Sequence, residues 1–215
     1  MTYHSLIFDL DGTLSDPLTG ILRCMNFALS SFDYQPVSEH EIKRFIGPPL
    51  EFALSELSGS KDDAHIAELV ATYRERYGEL GYAENVVYPG VVELLTELKN
   101  SGYRMGVCTS KFEKYALKVL QNFELDGFFT FVSGSTAPGM SKADQLGALL
   151  ECGTIEKKSL MIGDRDVDLS AARSNGLSCA GVLWGYGSRE ELAGHGPDFI
   201  AETPRQLADW IENQP

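Results

Sequence analysis

Two carboxylates separated by one residue, Asp9 and Asp11, follow the short apolar run 6–8 and stand directly before Gly12. A short apolar run bounded by polar residues favours a buried strand of a parallel sheet, and α/β proteins bind ligands at the carboxyl ends of such strands. Mutual repulsion and burial both oppose the ionisation of two neighbouring acids, and a cation relieves both effects. Mg²⁺ prefers oxygen ligands of this kind. A bare Asp-x-Asp more often caps a turn at a strand end, so the pattern needs further support.

Polar side chains also stand at the ends of two later predicted strands and at the start of the helix between them. These side chains are Thr109 and Ser110, then Lys142, then Asp164 and Asp168. If these strands neighbour the first one, all of the groups meet in one crevice at the carboxyl edge of the sheet. Taken singly, Thr109 would most often be a turn former and Lys142 a solvated side chain. Their convergence is what indicates a functional site.

The elements that must position these groups fall into two patterns. From residue 90 onward, short apolar segments alternate with amphipathic helices, as in βαβ units of a parallel sheet. The predicted strands there are 103–108, 128–132, 159–162, 179–183 and 199–200, and the predicted helices are 91–99, 111–122, 142–151, 169–175 and 204–213. Residues 17–86 instead predict only helices, over 18–33, 38–46, 50–57 and 62–77.

We therefore predict an α/β protein with a Rossmann-like parallel-sheet core, residues 1–16 and 87–215, and an inserted all-helical cap domain, residues 17–86. An insertion placed directly after the first strand could cover the end of that strand. The segments beside Pro17 and at 85–90 are expected to act as hinge linkers.

Composition and charge restrict the classes of partner. The chain has 215 residues, 43% of them hydrophobic, and its net charge of −13 argues against a nucleic-acid polymer or an anionic membrane surface. A small phosphorylated substrate stays possible, because a metal and a few local cations can reverse the field inside a pocket. No apolar run reaches transmembrane length, the first residues lack signal-peptide features, and the four cysteines form no Cys-x-x-Cys pair. We expect a cytoplasmic protein. The sequence does not indicate an oligomeric state.

Four segments together resemble the motifs of the haloacid dehalogenase-like superfamily of phosphohydrolases. They are Asp9-Leu-Asp-Gly-Thr, Cys108-Thr-Ser, the isolated Lys142 and Gly163-Asp-Arg-Asp-Val-Asp. The resemblance covers the whole chain, including the helical cap after the first motif. Segments 44–50, 87–90, 163–165 and 181–187 are further similar to the phosphoglycolate phosphatase-like group, and within it to bacterial 5′-nucleotidase-like proteins. The resemblance implies a Mg²⁺-dependent phosphatase of a small phosphorylated metabolite, a mononucleotide or phosphoglycolate.

The resemblance also implies a role for each motif residue. Asp9 is implied as the nucleophile that forms an aspartyl-phosphate, and Asp11 as the acid that protonates the leaving oxygen and then activates water. The implied ligands of the phosphoryl oxygens are Thr109, Ser110 and Lys142. The implied magnesium site consists of Asp9, the Asp11 carbonyl and Asp164, with Asp168 as an outer-shell residue that orients water.

Several assignments stay open at this point. Arg44, just before the Gly47-Pro48-Pro49 break, and Arg23 are the candidates for substrate specificity in the cap, although Arg44 is equally compatible with an exposed helix end. Lys111 is either a substrate contact or a cation at a helix start, and Arg165 is interpreted as structural. Two alternatives to a phosphatase also remain. A sugar-phosphate mutase would use the same residues under a cap that excludes water, and a catalytically idle binding or regulatory protein could share the scaffold.

Overall fold

The computed structural model describes residues 3–137 and 139–214, so that positions 1, 2, 138 and 215 lie outside the described residues. Its centre is a six-stranded sheet in which every neighbouring pair is parallel. The strands are β1 (Ser5–Phe8), β4 (Arg104–Phe112), β5 (Phe131–Ser135), β6 (Ser159–Gly163), β7 (Ser178–Val182) and β8 (Phe199–Ala201). Their order across the sheet is β5-β4-β1-β6-β7-β8, which confirms the predicted α/β parallel-sheet core.

Helices cover both faces of this sheet and fill the segment between β1 and β4. They are α1 (Leu18–Ser31), α2 (Glu39–Ile42), α3 (Leu50–Ser58), α4 (Asp63–Glu79), α5 (Val91–Asn100), α6 (Glu113–Asn122), α7 (Lys142–Glu151), α8 (Asp166–Ser174), α9 (Arg189–Ala193) and α10 (Pro204–Glu212). Among the described residues, no helix is both long enough and apolar enough to span a lipid bilayer.

The central position of β1 follows from its side chains. Leu6 and Phe8 pack on one face of the sheet with α5 and α10, whereas Ile7 packs on the other face with Leu146 of α7 and Leu169 of α8. All of these side chains are buried, and each contributes roughly 1.5–3 kcal/mol by leaving water. A strand that is apolar on both faces must lie in the middle of the sheet, and there its carboxyl end faces β4 and β6.

Helices α1 to α4 form an inserted cap with a hydrophobic cluster of its own, centred on residues such as Met25, Leu54, Leu69 and Tyr77. Ser38 and Glu41 form a capping box at the start of α2. The segments expected to be linkers are themselves two short strands, β2 (Ser15–Asp16) and β3 (Val86–Val87), which pair antiparallel. Because the chain enters and leaves the insertion at one place, its two passages lie side by side and can hydrogen-bond.

Several predicted boundaries after the cap were wrong, among them the end of β4, both ends of β5, and the start of α8, which begins at Asp166 and not at residue 169. β4 does not end at residue 108 but continues to Phe112 after an irregularity in its pairing with β5, so that Phe112 pairs with Ser135. Lys111 therefore lies on a strand, not at the start of helix α6. β5 begins three residues later than predicted, because Asp126–Phe128 forms a 3-10 turn that ends the preceding connection.

Candidate active site

The end of β1 delivers Asp9 and Asp11 to the carboxyl edge of the sheet, where both are buried. The Asp9 amide donates to the Ile162 carbonyl at 2.9 Å, which keeps the chain paired with β6 up to the carboxylate. Gly12 then turns the chain with φ +90°, a conformation that favours glycine. A Cβ atom at Gly12 would collide with the Asp164 carboxylate, so the turn also creates the space that Asp164 occupies.

Three carboxylates converge at this edge, as the sequence predicted. Asp9, Asp164 and Asp168 each offer one oxygen, and these atoms lie within 4.8 Å of one another. Asp164 follows β6 directly, and its two oxygens accept hydrogen bonds from the Thr13 hydroxyl at 3.1 Å and the Tyr186 amide at 2.9 Å. The carboxylate position is therefore fixed before any ligand binds.

The charge balance of this cluster fits a hard divalent cation. Burial raises the pKa of Asp164 well above its usual range, and Asp168 and Asp9 raise it further. Burial also raises the pKa of Asp168 to about 6, although Lys142 partly offsets the effect. Convergent, buried and incompletely neutralised carboxylate oxygens are the donor set that Mg²⁺ prefers. The residues present thus fit the predicted metal.

Lys142 lies between two of these acids. It is the first residue of α7, whose start is fixed by a capping box between Ser141 and Asp144. Its Nζ atom is 2.9 Å from Asp9 Oδ1 and also contacts Asp168 Oδ1, and its side chain is 3% exposed. Burial alone would lower the pKa of Lys142, but Asp168 and Asp9 outweigh burial and hold this pKa above its usual value. The ammonium is therefore charged and points inward.

Thr109 and Ser110 lie on the extended part of β4, beside the two carboxylates of β1. Thr109 is buried, and its carbonyl accepts a hydrogen bond of 3.2 Å from the Gln145 amide of α7. Both residues line the same cavity as Asp9 and Asp11. The structure thus brings together every motif residue that the sequence singled out.

Lys111 is the functional candidate that the sequence interpretation left undecided. Its Nζ atom lies 2.7 Å from Asp11 Oδ2, and its side chain is only 8% exposed. Burial raises the pKa of Asp11, and Lys111 partly offsets this rise. The pKa of Lys111 stays above its usual value because Asp11 and Tyr77 outweigh the effect of burial. The sequence signal for Lys111 was its position two residues after Thr109. Residues two apart lie on the same face of a strand, so this spacing indicates an active-site contact only if the strand continues beyond Thr109.

The cap forms most of the remaining wall of the cavity, which is largely apolar and aromatic. The wall residues are Ile21, Met25, Phe45, Gly47, Pro48, Leu50, Ala53, Tyr73 and Arg74 from the cap, with Phe112 and Tyr115 from the core. The cation that the cap contributes is Arg74, whose guanidinium lies 5.0 Å from the Phe112 ring centre and 3.3 Å from Glu51.

Arg23 and Arg44 do not line this cavity. Arg23 is exposed and forms an ion pair of 2.7 Å with Glu84. Arg44 is also exposed, and its guanidinium lies 4.6 Å from the ring centre of its neighbour Phe45. The sequence correctly placed Arg44 next to the cap loop, but the periodicity of a short helix did not show which side chain faces the core.

Arg165 connects the motif loop to its surroundings, as its structural interpretation predicted. Its Nε atom donates to Glu191 at 2.8 Å. Its Nη1 atom also donates to the Ile46 carbonyl at 2.6 Å, a contact between core and cap that the sequence did not indicate.

Comparison with known proteins places these features in a family context. A family model described as haloacid dehalogenase-like hydrolase matches residues 6–182. The chain is 38% identical to a 5′-nucleotidase of Pseudomonas aeruginosa over 99% of this chain and 97% of that protein. It is 32% identical to a phosphoglycolate phosphatase of Rhodospirillum rubrum, over 96% and 90% of the two chains. The crystal structure of a predicted phosphatase from Clostridium acetobutylicum matches with a TM-score of 0.93, 32% identity and full coverage of both chains.

Proposed function

Because this chain belongs to the haloacid dehalogenase-like hydrolase family and is a phosphoric monoester hydrolase, we propose that it acts through an aspartyl-phosphate on Asp9 and requires Mg²⁺. The observation that carries the proposal is the convergence of Asp9, Asp164 and Asp168 around Lys142 at one edge of the sheet. Nucleophile, cation site and anion-binding groups are all needed within reach of a single phosphorus atom, and this edge supports all three.

Asp9 acts as the nucleophile, and Asp11 acts as the general acid and then as the general base. An Asp9 carboxylate oxygen forms a bond to phosphorus while the bond from phosphorus to the ester oxygen breaks. Asp11 gives its proton to the departing oxygen, and the alcohol leaves. Asp11 then takes a proton from a water molecule, whose oxygen bonds to phosphorus as the Asp9 carboxylate departs. Inorganic phosphate is released, and Asp11 is protonated again for the next cycle.

The remaining motif residues bind and orient the phosphoryl group. The Thr109 hydroxyl, the Ser110 amide and the Lys142 ammonium would bind its equatorial oxygens, which carry the charge of the transition state. Mg²⁺ would be held by Asp9, Asp164 and the Asp11 carbonyl, with Asp168 outside the direct ligands. When bound, the ion would screen the repulsion between the carboxylates and the phosphoryl oxygens.

The cavity wall and the relatives both support a small organic leaving group. We propose a mononucleotide or a phosphoglycolate-like ester as substrate, since two similar proteins are a 5′-nucleotidase and a phosphoglycolate phosphatase. Among the cations predicted or observed in the cap, Arg74 is the proposed specificity contact, because it lines the cavity whereas Arg23 and Arg44 do not.

The domain boundaries and the cellular location are proposals as well. We place the cap at residues 17–86 and the catalytic core at 1–16 and 87–215, because β2 and β3 join the cap to the core at one point. A cytoplasmic location is supported by the four cysteines, which are all free thiols.

A panel of phosphorylated metabolites tests the proposal through release of inorganic phosphate, with Mg²⁺ and with EDTA. The wild type is expected to hydrolyse simple monoesters only with Mg²⁺, and Asp9→Asn, which is nearly isosteric, is expected to be inactive but folded. Activity of Asp9→Asn would exclude Asp9 as nucleophile. Turnover that needs a bisphosphate would indicate a mutase, and a folded protein without activity would indicate a binding protein.

A further inference from the structure

Lys111 forms a buried ion pair with Asp11 that the proposed reaction does not use. The Nζ atom is 2.7 Å from Asp11 Oδ2, and the two side chains are 8% and 12% exposed. Two charges removed from water in this way are stable only when paired, and removal of one partner strands the other. Lys111 and Asp11 therefore depend on each other for their positions in the site.

The two oxygens of Asp11 have different surroundings. Oδ2 is held by Lys111, whereas Oδ1 is buried and has no hydrogen-bond partner among the described residues. Asp11 and Lys111 both line the cavity that would receive the substrate. With Oδ2 held by Lys111, Oδ1 is the carboxylate oxygen without a partner and is the one left for proton transfer to a leaving-group oxygen.

The cap supplies the opposite side of this arrangement. The Lys111 Nζ atom lies 4.5 Å from the ring centre of Tyr77, a fully buried residue of α4. The hydroxyl oxygen of Tyr77 accepts a hydrogen bond of 3.4 Å from the Asn85 amide, just before β3. Lys111 is thus enclosed between the acid of the core and an aromatic ring of the cap, which excludes water and keeps the ammonium in place.

We propose that Lys111 is a positioning residue, which orients Asp11 toward the leaving oxygen while Tyr77 of the cap holds Lys111 in place. The inference rests on the proposed acid role of Asp11. It predicts that the contribution of Lys111 depends on how much the leaving group needs a proton.

The test compares kcat/KM for two leaving groups in Lys111→Met. p-Nitrophenolate is a good leaving group and departs without a proton. The leaving oxygen of an alkyl phosphate must be protonated as it departs, and the best alkyl phosphate from the metabolite panel supplies that case. We expect kcat/KM for the alkyl ester to fall about 100-fold and that for p-nitrophenyl phosphate to fall less than about threefold, since a positioned general acid contributes 10²–10⁴-fold. Lys111→Arg, which keeps the charge, should recover part of the loss. Lys158→Met, at an exposed lysine just before β6, is the matched control and should change neither value.

Two further variants decide between the possible outcomes. Asp11→Asn should show the same selective loss, and adding Lys111→Met to it should have no further effect. Equal losses on both substrates for Lys111→Met, with a selective loss for Asp11→Asn, would overturn the inference and leave the proposed function intact. An unselective Asp11→Asn variant would instead refute the acid role of Asp11. If Lys111→Met does not fold, Lys111→Arg decides alone. The longer guanidinium places the positive charge at a different point beside Asp11, so kcat/KM for the alkyl ester must still fall more than that for p-nitrophenyl phosphate.

Discussion

The Arg165 guanidinium donates a hydrogen bond of 2.6 Å to the Ile46 carbonyl and thereby connects the loop that carries Asp164 to the cap. A second hydrogen bond, from its Nε atom to Glu191, fixes the side chain from the core side. The next cap residue, Gly47, lies so close that a Cβ there would be 3.2 Å from Arg165 Cγ. Since Gly47 also lines the cavity, this contact holds a wall of the substrate site in place.

Loss of this contact should weaken substrate binding more than it slows the chemical step. Arg165→Met removes this hydrogen bond together with the one to Glu191. A hydrogen bond from a charged donor contributes about 1.5–3 kcal/mol, and we expect KM to rise about tenfold or more with a smaller change in kcat. Steady-state kinetics on the best substrate measures both values. Arg189→Met, which removes an exposed ion pair with Glu202, is the control and should leave KM unchanged. An unaltered KM in Arg165→Met would show that the loop does not depend on this contact.

Gly12→Ala should abolish activity for a steric reason that is separable from its backbone strain. The new Cβ would collide with the Asp164 carboxylate and displace it from the cluster. Gly59→Ala is the matched control, because Gly59 also has a positive φ (+70°) but open space around a Cβ, and it should cost only about 1–2 kcal/mol of stability. Phosphate release and urea unfolding of both variants make the comparison. Equal behaviour of the two variants would contradict the steric argument.

Lys142→Met should destabilise the metal-free protein strongly, because it leaves Asp9 and Asp168 buried without their cation. Removing one partner of a buried ion pair costs about 3–5 kcal/mol, which urea unfolding in EDTA would detect. Mg²⁺ should restore part of the loss, since it supplies positive charge to the same carboxylates. Lys157→Met, at an exposed lysine whose ammonium donates to the Asn175 carbonyl at 2.6 Å, should be neutral. A stable Lys142→Met variant in EDTA would exclude this account.

Glu84 should make the stability of the cap sensitive to acid. Arg76 donates hydrogen bonds of 2.8 and 3.1 Å to Glu84, and Arg23 donates one of 2.7 Å. The Arg76 bonds, followed by that of Arg23, hold the pKa of Glu84 below its usual 4.5. Because the folded pKa is the lower one, the stabilisation is complete above pH 4.5 and is lost as pH falls through the folded value.

The measurement is the free energy of unfolding of the wild type and of Glu84→Gln across this pH range. We expect a difference of about 1 kcal/mol at neutral pH that shrinks below pH 4.5. Glu75→Gln, at an exposed position in the interior of α4, should follow the wild type at every pH. A difference that stays constant with pH would mean that the charge of Glu84 does not contribute.

Elements whose signals are local were predictable from the sequence. Helix α7 was predicted over 142–151 and is observed at Lys142–Glu151, because a capping box begins it and its apolar side follows helical periodicity. Strand β1 was predictable for a similar reason, since an apolar run without alternation is compatible only with a buried position. The extension of β4 was not predictable from the sequence, because Phe112 is held in the strand by pairing with Ser135, more than twenty residues later in the chain.

The sequence by itself determined which groups meet at the carboxyl edge of the sheet. Asp9 and Asp164 directly follow strands, Thr109 lies in the carboxyl-terminal half of β4 and Lys142 begins α7, and parallel topology brings these points to one edge. Only the tertiary structure decided which cations face the cavity, and it selected Lys111 and Arg74 in place of Arg23 and Arg44. The physical reason is that the cap meets the core through side-chain packing between segments far apart in the chain, and no local periodicity encodes that orientation.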